Sequence, residues 1–247
     1  MRWWLGVVLG VLALAPRLAS AEVADVCSLM AKIDQRALDY DDQEYLTTIQ
    51  YRESSKLVKT FKLRVVTKGM HKALVSFLAP GDMRDTRVLI VDAETMYTYM
   101  PDFGRVRRVA GHSRRQSFMG TNLYYEDITE RRYSERWGCT PAKNTSDAYV
   151  MDLRPNPGAK SAYTKVTVSV DRRREEIVQI EYFEETRHIK SQFREQFRSM
   201  NGIERASVIR FVSRDHDADL TVNYDEWRAN IGVPESAFTQ RALLRGI

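Results

Sequence analysis

The sequence contains few of the residues that enzymes and metal sites most often use. It has two cysteines and four histidines in 247 residues. The histidines, at positions 71, 112, 188 and 216, lie in separate segments without the spacing of metal ligands. No G-x-S-x-G elbow, Walker loop or H-E-x-x-H motif is present. The sequence therefore predicts a protein that is not an enzyme and that needs no cofactor.

The sequence also lacks a strong charge of one sign. Its formal net charge is +5, from 38 basic and 33 acidic residues that are mixed along the chain. It has no RNP, helix-turn-helix or zinc-finger pattern. The acidic cluster Asp215, Asp217 and Asp219 could bind a divalent cation, but acidic residues are also ordinary in turns between strands. We therefore expect neither a nucleic-acid partner nor a bound metal.

The first 21 residues have the features of a cleaved export signal. Arg2 precedes an apolar run at residues 3–15 that is too short to span a membrane, and Ala19-Ser20-Ala21 matches an A-x-A cleavage site. No cysteine directly follows this site, so we do not expect the lipid anchor of a bacterial lipoprotein. The mature protein would be one exported domain at residues 22–247, a length that fits a single large β domain.

Most of the remaining sequence has the hydrophobic pattern of strands. Apolar residues recur at three- and four-residue spacing over residues 22–36, which predicts an amphipathic helix, and a polar connection follows at 39–44. Asn201-Gly202 predicts a tight hairpin, and Pro234 suits the first turn of a closing helix at 235–244. About a dozen short strands at regular spacing indicate an all-β sandwich or barrel. The predicted strands are residues 61–65, 72–78, 87–91, 96–100, 105–109, 133–139, 148–153, 163–170, 177–183, 188–197, 206–212 and 220–224.

The two cysteines are Cys27 and Cys139. Because an exported protein matures in an oxidising compartment, we predict a disulfide between them that ties the first helix to the middle of the sheet. Cys27 also lies on the apolar stripe of that helix, where it would serve as a small buried hydrophobe. The sequence leaves this second interpretation open.

The most distinctive stretch is residues 97–128, which reads YTYMPDFGRVRRVAGHSRRQSFMGTNLYYEDI. Strand-like alternation ends at the turn Pro101-Asp102-Phe103-Gly104, a basic strand follows, and an apolar-aromatic run closes the stretch. The apolar residues are accompanied by arginines at positions 105, 107, 108, 114 and 115. Such a surface suits an amphiphile, although it also fits an ordinary hairpin with an apolar core face and solvated arginines. We predict a loop and a short helix over residues 117–128, in the place of a lid.

This stretch resembles the signature of the LolA-like outer-membrane lipoprotein-sorting proteins. In that family a strand carrying Y-x-P runs into R-V-R-R, and F-M-G-(T/S)-(N/D) precedes Y-E-D; the matching segments here are YMPDFGRVRRVAG and SFMGTNLYYEDI. The final segment PESAFTQRALLR resembles the family's closing segment. The resemblance implies a mainly β fold, an incomplete antiparallel β-barrel of about 11–13 strands. An N-terminal helix and short helices would cover a hydrophobic cavity.

The resemblance also implies a function, namely a periplasmic carrier that binds acyl chains of lipoproteins or other lipids and moves them toward the outer membrane. Its partners would be a membrane transporter of the RND, MMPL or ABC type and an outer-membrane acceptor. The alternative on the same fold is a regulatory module that senses lipids or lipoproteins. A carrier would pass its load to an acceptor, whereas a sensor would retain it and change its affinity for a partner.

Candidate site residues follow from these expectations. Arg105, Arg107 and Arg108 are candidates for docking a head group or a partner. Because alternate side chains of a strand face opposite ways, Arg108 should face away from the other two. The residues expected to line the cavity and the lid are Phe61, Leu63, Val65, Val75, Phe77, Tyr97, Tyr99, Phe118, Met119 and Tyr124.

Overall fold

Thirteen strands form one antiparallel sheet in the computed structural model, which describes residues 18–36, 39–92, 94–109, 115–129, 132–200 and 203–246. Residues 1–17 of the expected export signal, His112, Arg114 and the predicted Asn201-Gly202 turn lie outside the described residues. The strands are β1 (Asp42–Glu53), β2 (Lys56–Lys68), β3 (Lys72–Ala79), β4 (Arg87–Asp92), β5 (Thr95–Met100), β6 (Arg105–Val109), β7 (Trp137–Pro141), β8 (Ala148–Pro155), β9 (Lys165–Asp171), β10 (Ile177–Glu184), β11 (Arg187–Met200), β12 (Ile203–Ser213) and β13 (Ala218–Ala229).

The order of the strands in the sheet is β6-β5-β4-β3-β2-β1-β13-β12-β11-β10-β9-β8-β7. Strands that follow one another in the chain are therefore mostly neighbours, and the pairing of β1 with β13 joins the first six strands to the last seven. Within the described residues, β6 and β7 form the two edges and are not paired with each other. The predicted mainly β fold, an incomplete barrel of 11–13 strands, is confirmed.

Alternating side chains divide the sheet into two faces, which we call inner and outer. In β4, Val88 and Ile90 belong to a buried cluster on the inner face, and Leu89 belongs to a different cluster on the outer face. The inner face carries a second cluster on β7 to β11. Both clusters share that face because Gln192 of β11 pairs with Ile180 of one cluster and with Phe211 of the other.

One long helix, α1 (Leu18–Arg36), packs against β7 and β8 on the inner face. Val26, Leu29 and Met30 are its buried contacts with the second cluster. The helix begins at Leu18, before the predicted start at residue 22. In the described part of the chain, no helix is both long and apolar enough to cross a membrane.

A disulfide fastens α1 to the sheet. Cys27 of α1 is bonded to Cys139 of β7, and the Cα atoms of the two residues lie 5.8 Å apart. The sequence predicted a bridge to the middle of the sheet. Because β7 is an edge strand, the bridge joins the helix to the border of the sheet instead. The bridge therefore holds the first helix against the sheet at Cys27.

The predicted polar connection at residues 39–44 is wrong from Asp42 onward, because β1 begins there. The Asp42 carboxylate accepts hydrogen bonds from the backbone N–H groups of Ile231, Gly232 and Val233 at 2.8, 3.1 and 2.9 Å. These bonds attach the chain that leaves β13 to the start of β1. Asp42 is therefore buried through partners that lie far away in the sequence.

Two other predicted elements differ in the structure. The predicted strand at 133–139 begins as a helix, because the N–H of Ser134 donates to Asp34 of α1 at 2.7 Å and turns the chain before β7. The predicted closing helix at 235–244 is divided at Thr239, whose backbone is extended and whose hydroxyl caps the last helix. The short elements are α2 (Tyr125–Thr129), α3 (Tyr133–Arg136), a 3₁₀ turn (Glu235–Phe238) and α4 (Gln240–Arg245).

The closing segment covers the outer face. Val233, Ala237, Phe238 and Leu243 are buried against the outward side chains of β2, β3 and β4. These three strands are therefore covered on the outer face, while their inner face carries the first cluster.

The disulfide can be tested by thiol chemistry and by stability. We expect no free thiols when the protein is unfolded without reductant. Replacing Cys27 and Cys139 together with Ser should lower the free energy of unfolding by about 2–5 kcal/mol, because the unfolded chain regains the entropy of an open loop. Denaturant titration followed by circular dichroism measures this loss. About two free thiols per chain would show that Cys27 is a buried thiol, once a non-reducing gel has excluded intermolecular dimers.

Candidate binding cavity and its lid

An apolar cavity of about 270 Å³ lies on the inner face, between the sheet and residues 117–128, which we call the lid. Its walls come from both halves of the sheet, since β1 to β4 meet β12 and β13 there. Such a space favours apolar groups, because surface that enters it leaves water. The apolar lining residues are Ile49, Leu63, Val65, Ala73, Val75, Ile90, Ile209, Phe211 and Val222 of the strands and Phe118, Leu123 and Ile128 of the lid.

The lid consists of a tight loop and a short helix, which confirms the prediction for this segment. A 3₁₀ turn at Phe118–Gly120 is enclosed by a β-bridge between Ser117 and Tyr124, and α2 begins at Tyr125. Phe118 is buried against Phe77 of β3, with the ring centroids 6.3 Å apart. The lid and the sheet therefore share one apolar cluster.

The tip of the lid is attached to β2 by Lys59. The ammonium group of Lys59 donates to the carbonyl oxygens of Met119 and Gly120, each at 2.9 Å. Gly120 has a φ of 65°, in the left-handed region that favours glycine. A Cβ at this position would lie 2.5 Å from Lys59 Nζ. A larger residue would therefore disturb both the turn and the attachment.

A buried ion pair anchors the second half of the lid. Asp127 of α2 forms a salt bridge with Lys190 of β11, and the two side chains are only 1% and 4% exposed. Asp127 also accepts hydrogen bonds from the Tyr163 hydroxyl and from the N–H of Tyr124, both at 2.6 Å. A buried pair is stable only when such additional bonds offset the loss of water. Here both carboxylate oxygens are bonded.

Aromatic rings surround the cation of this pair. Lys190 Nζ lies 4.7, 5.3 and 5.1 Å from the ring centroids of Tyr124, Tyr163 and Tyr182, close enough for cation–π attraction. Burial, followed by the charge of Asp127, raises the pKa of Tyr163 well above its usual value. The Tyr163 hydroxyl therefore stays protonated and continues to donate to Asp127.

Glu126 attaches α2 to a further part of the chain. Its side chain is buried and accepts hydrogen bonds from the Ser161 hydroxyl at 2.5 Å and from the N–H of Ala162. The neighbouring carboxylates Glu126 and Asp127 thus bind two elements, the segment before β9 and strand β11. The helical half of the lid is fixed by two buried carboxylates, whereas the tip relies on Phe118 and on hydrogen bonds from the half-buried Lys59.

A second cavity of about 330 Å³ adjoins the apolar one. The two share Tyr45, Asp127, Gln192, Ile209 and Tyr224, so these residues form the border between them. Burial raises the pKa of Asp34 in the second cavity, although a hydrogen bond from Ser134 opposes this shift. The charged residues that line the second cavity beyond the border are Asp34, Arg36, Glu176, Arg194 and Arg205.

The structure brings most of the predicted cavity residues together on the inner face. Leu63, Val65, Val75 and Phe118 line the apolar cavity. Phe61, Phe77 and Met119 belong to the same cluster or pack against it, without lining the cavity.

Three predicted tyrosines do not line the apolar cavity. Tyr97 and Tyr99 pack against the outer cluster, because they alternate along β5 with Met96 and Thr98, of which Met96 belongs to the inner cluster. Tyr124 packs on Tyr163, with ring centroids 5.8 Å apart, in the cluster next to the cavity.

The three predicted docking arginines lie on the edge strand β6 and are exposed. Arg105 and Arg107 pair with Met100 and Thr98 of β5, whereas Arg108 pairs with the outward Tyr97. The register therefore places Arg108 on the face opposite to the other two. The guanidinium of Arg107 also lies 4.7 Å from the ring centroid of Phe103.

Sequence reasoning assigned no role to Glu126, Asp127 and Lys190. The available signal was the pair of adjacent carboxylates inside an apolar-aromatic run. Their most important partner, Lys190, is 63 residues away from Asp127. In an alternating strand such a lysine has the pattern of an ordinary exposed residue.

The acidic cluster at 215–219 lies at the connection between β12 and β13. Asp215 pairs with Arg187 at 3.0 Å, and Asp219 pairs with Arg52 at 3.7 Å. Across the residues that the structure describes, no group of three or more histidine, cysteine or acidic side chains could bind a metal ion.

A protein-family model described as "Uncharacterized protein" matches residues 69–245 of the chain. No curated protein matches the chain. The family match covers the lid, the Asp127–Lys190 pair and every strand from β3 to β13.

Solved structures share the fold of the chain. A DUF1329 family protein from Desulfovibrio piger is 20% identical, with a TM-score of 0.81 over 90% of this chain and 98% of that one. A domain from Vibrio parahaemolyticus, described as an outer membrane lipoprotein-sorting protein domain, is also 20% identical, with a TM-score of 0.81 over 92% and 100%. A LolA superfamily protein from Nitrosomonas europaea is 19% identical, with a TM-score of 0.72 over 88% and 97%. At these identities the likeness shows the fold.

The buried ion pair can be tested by removing one or both charges. We expect Lys190→Met to lower the free energy of unfolding by about 3–5 kcal/mol, because it leaves the buried Asp127 charge without its partner. Adding Asp127→Asn should recover part of the loss, and a double-mutant cycle gives the coupling energy. The control is Lys72→Met, which removes the lysine of the exposed pair with Glu235 and should change stability much less. Equal losses for the two lysines would contradict the anchoring role of Lys190.

Proposed function

The chain belongs to the family that the matching model describes and has a LolA-like fold, and from these premises we propose that it is a periplasmic carrier of acyl chains. In this proposal the cargo is a lipoprotein or another lipid, which the carrier moves toward the outer membrane. The expected export signal at residues 1–21 supports the periplasmic location. The partners would be a membrane transporter of the RND, MMPL or ABC type and an outer-membrane acceptor.

The observation that carries the proposal is the apolar cavity beneath the lid. Each methylene group that moves from water into such a cavity contributes about 0.8 kcal/mol. Partial burial of an acyl chain of about a dozen carbons would therefore contribute several kcal/mol to the free energy of binding. Binding of this kind needs no catalytic group, because no bond is formed or broken.

A carrier must also release its cargo, and the two halves of the lid differ in a way that suits this step. The tip is held by the buried ring of Phe118 and by the hydrogen bonds from Lys59. The helix α2 is held by the buried Asp127–Lys190 pair and by the bonds to Glu126. We infer that the tip opens while α2 stays attached, because segments with weaker attachments open at lower free energy.

The helix α1 has a different role in this proposal. Its disulfide to β7 prevents it from moving far from the sheet. It therefore serves as a fixed wall of the second cavity, which Ile33, Asp34 and Arg36 help to line. Access to the cavities would depend on the lid.

The arginines of β6 are proposed as the docking surface for an acceptor. Arg105, Arg107 and Arg108 are exposed, and no ion pair is formed by them among the described residues. Exposed cations attract an anionic surface at low salt, and this attraction weakens as salt screens it. The surface lies next to the lid, since Arg105, Arg107 and Tyr125 line a common depression.

Acyl-chain binding can be tested by filling the cavity. An environment-sensitive fluorescent fatty acid should bind stoichiometrically and be displaced by long-chain lipids. Val65→Trp should weaken binding about tenfold or more, since the indole would occupy space that the chain needs. Val58→Trp on the same strand is the control, because Val58 is 49% exposed and lies outside the cavity. Absence of saturable binding to the wild-type protein at micromolar concentration would overturn the carrier proposal.

The docking surface can be tested separately from binding. Replacing Arg105 and Arg107 with Gln should slow transfer of the bound probe to vesicles that contain phosphatidylglycerol and should weaken its dependence on salt. The melting temperature should change little, because both side chains are exposed. Transfer to vesicles of neutral lipid provides the control. A marked loss of stability in this variant would instead make the two arginines structural.

A further inference from the structure

The second cavity has a charge arrangement that acyl-chain binding does not explain. Its walls carry three arginines, Arg36, Arg194 and Arg205, and three carboxylates, Asp34, Asp127 and Glu176. If all six charges were paired with one another, the cavity would be a closed polar network. The pairing is incomplete, as the partners of each group show.

The carboxylates of the second cavity all have partners. Glu176 pairs with Arg36 at 3.1 Å, and Arg36 also bonds Glu175. Asp127 is bonded to Lys190, which belongs to β11 and does not line this cavity. Asp34 accepts the hydrogen bond from Ser134. No carboxylate of the cavity is therefore left for Arg194 or Arg205.

Arg194 and Arg205 contribute two guanidinium groups without a carboxylate. Neither forms an ion pair within the described residues, and the buried Nε atom of each has no hydrogen-bond partner there. The guanidinium of Arg205 is placed against two rings, 5.7 Å from the centroid of Tyr40 and 5.4 Å from that of Trp227. Buried donors without partners are unusual in folded proteins. They are accounted for if an anion enters the cavity and accepts their hydrogen bonds.

We propose that the second cavity binds the anionic head group of the same amphiphile whose acyl chain occupies the apolar cavity. The head group would be a phosphate or a carboxylate, since the planar guanidinium of arginine matches both through paired N–H donors. The inference depends on the proposed carrier function, because the tail is assigned to the apolar cavity.

The geometry of the border supports a single ligand that spans both cavities. Five residues line both spaces, and among them Gln192 and Tyr224 bring polar atoms to the junction. A chain that lies on the side of Val75 and Phe118 would therefore place its polar end on the side of Arg194 and Arg205. Unlike the exposed arginines of β6, these two line the interior on β11 and β12.

The test compares two lipids that differ in one group. The probes are 1-lauroylglycerol and 1-lauroylglycerol-3-phosphate, which share the chain and the glycerol, together with inorganic phosphate; titration calorimetry measures each affinity. The wild-type protein should bind the phosphate lipid about tenfold or more tightly than the neutral lipid, because charge-assisted bonds are stronger than those to water. Arg194→Gln with Arg205→Gln should remove this preference, because it weakens binding of the phosphate lipid much more than binding of the neutral lipid. Arg241→Gln with Arg245→Gln, which removes two exposed arginines of α4, is the charge-matched control.

The outcomes separate this inference from the carrier proposal. If both lipids bind the wild-type protein equally, the head-group site is wrong and the carrier proposal stands. If neither lipid binds, the carrier proposal fails as well. If inorganic phosphate binds as tightly as the phosphate lipid, the cavity takes a free anion and the inference is overturned. The wild-type comparison does not depend on the variants, so it decides the matter even if the double variant fails to fold.

Discussion

The buried salt bridge between Asp127 and Lys190 is the interaction on which the arrangement of the cavities depends. It connects the helix of the lid to β11, at the border of the apolar cavity and the charged one. A pair so well shielded from water persists because the Tyr163 hydroxyl, the N–H of Tyr124 and the surrounding rings replace the lost hydration. Without Lys190, the Asp127 carboxylate would be a buried charge without a counter-ion.

The second constraint is that the inner face of the sheet is larger than the helices and loops that pack onto it. Thirteen strands present a long inner face, onto which α1, α3, the segment before β9 and the lid pack. The apolar residues of that face therefore form two clusters in place of one continuous core. The cavities lie where the clusters meet, near Gln192, Ile209 and Tyr224. On the outer face the closing segment buries Leu74 and Leu89 in a cluster of its own.

Local sequence pattern was a good guide to the elements and a weaker guide to the site. The alternation of Phe61, Leu63 and Val65 was sufficient to assign a half-buried strand and its buried face. An apolar residue at every second position is typical of a strand, whose successive side chains point to opposite faces. The same rule does not say which of two faces surrounds a cavity when both are buried. Tyr97 and Tyr99 illustrate this limit, since they alternate with Met96 and Thr98 in the sequence yet pack beneath the closing segment. Asp42 and Ser134 show a related limit, because their partners are distant in the chain.

The sequence by itself determined the mainly β class, the approximate number of strands, the position of the lid and the opposite facing of Arg108 and Arg107. Each of these follows from short-range periodicity, from turn residues or from a contiguous motif, all of which are properties of neighbouring residues. Tertiary structure alone decided that Glu126 and Asp127 are anchors, that Lys190 is buried, and that Arg194 and Arg205 line a cavity with no carboxylate partner in the described part of the chain. A charged residue has the same local pattern whether it is solvated or paired, and only the fold brings its partner within bonding distance.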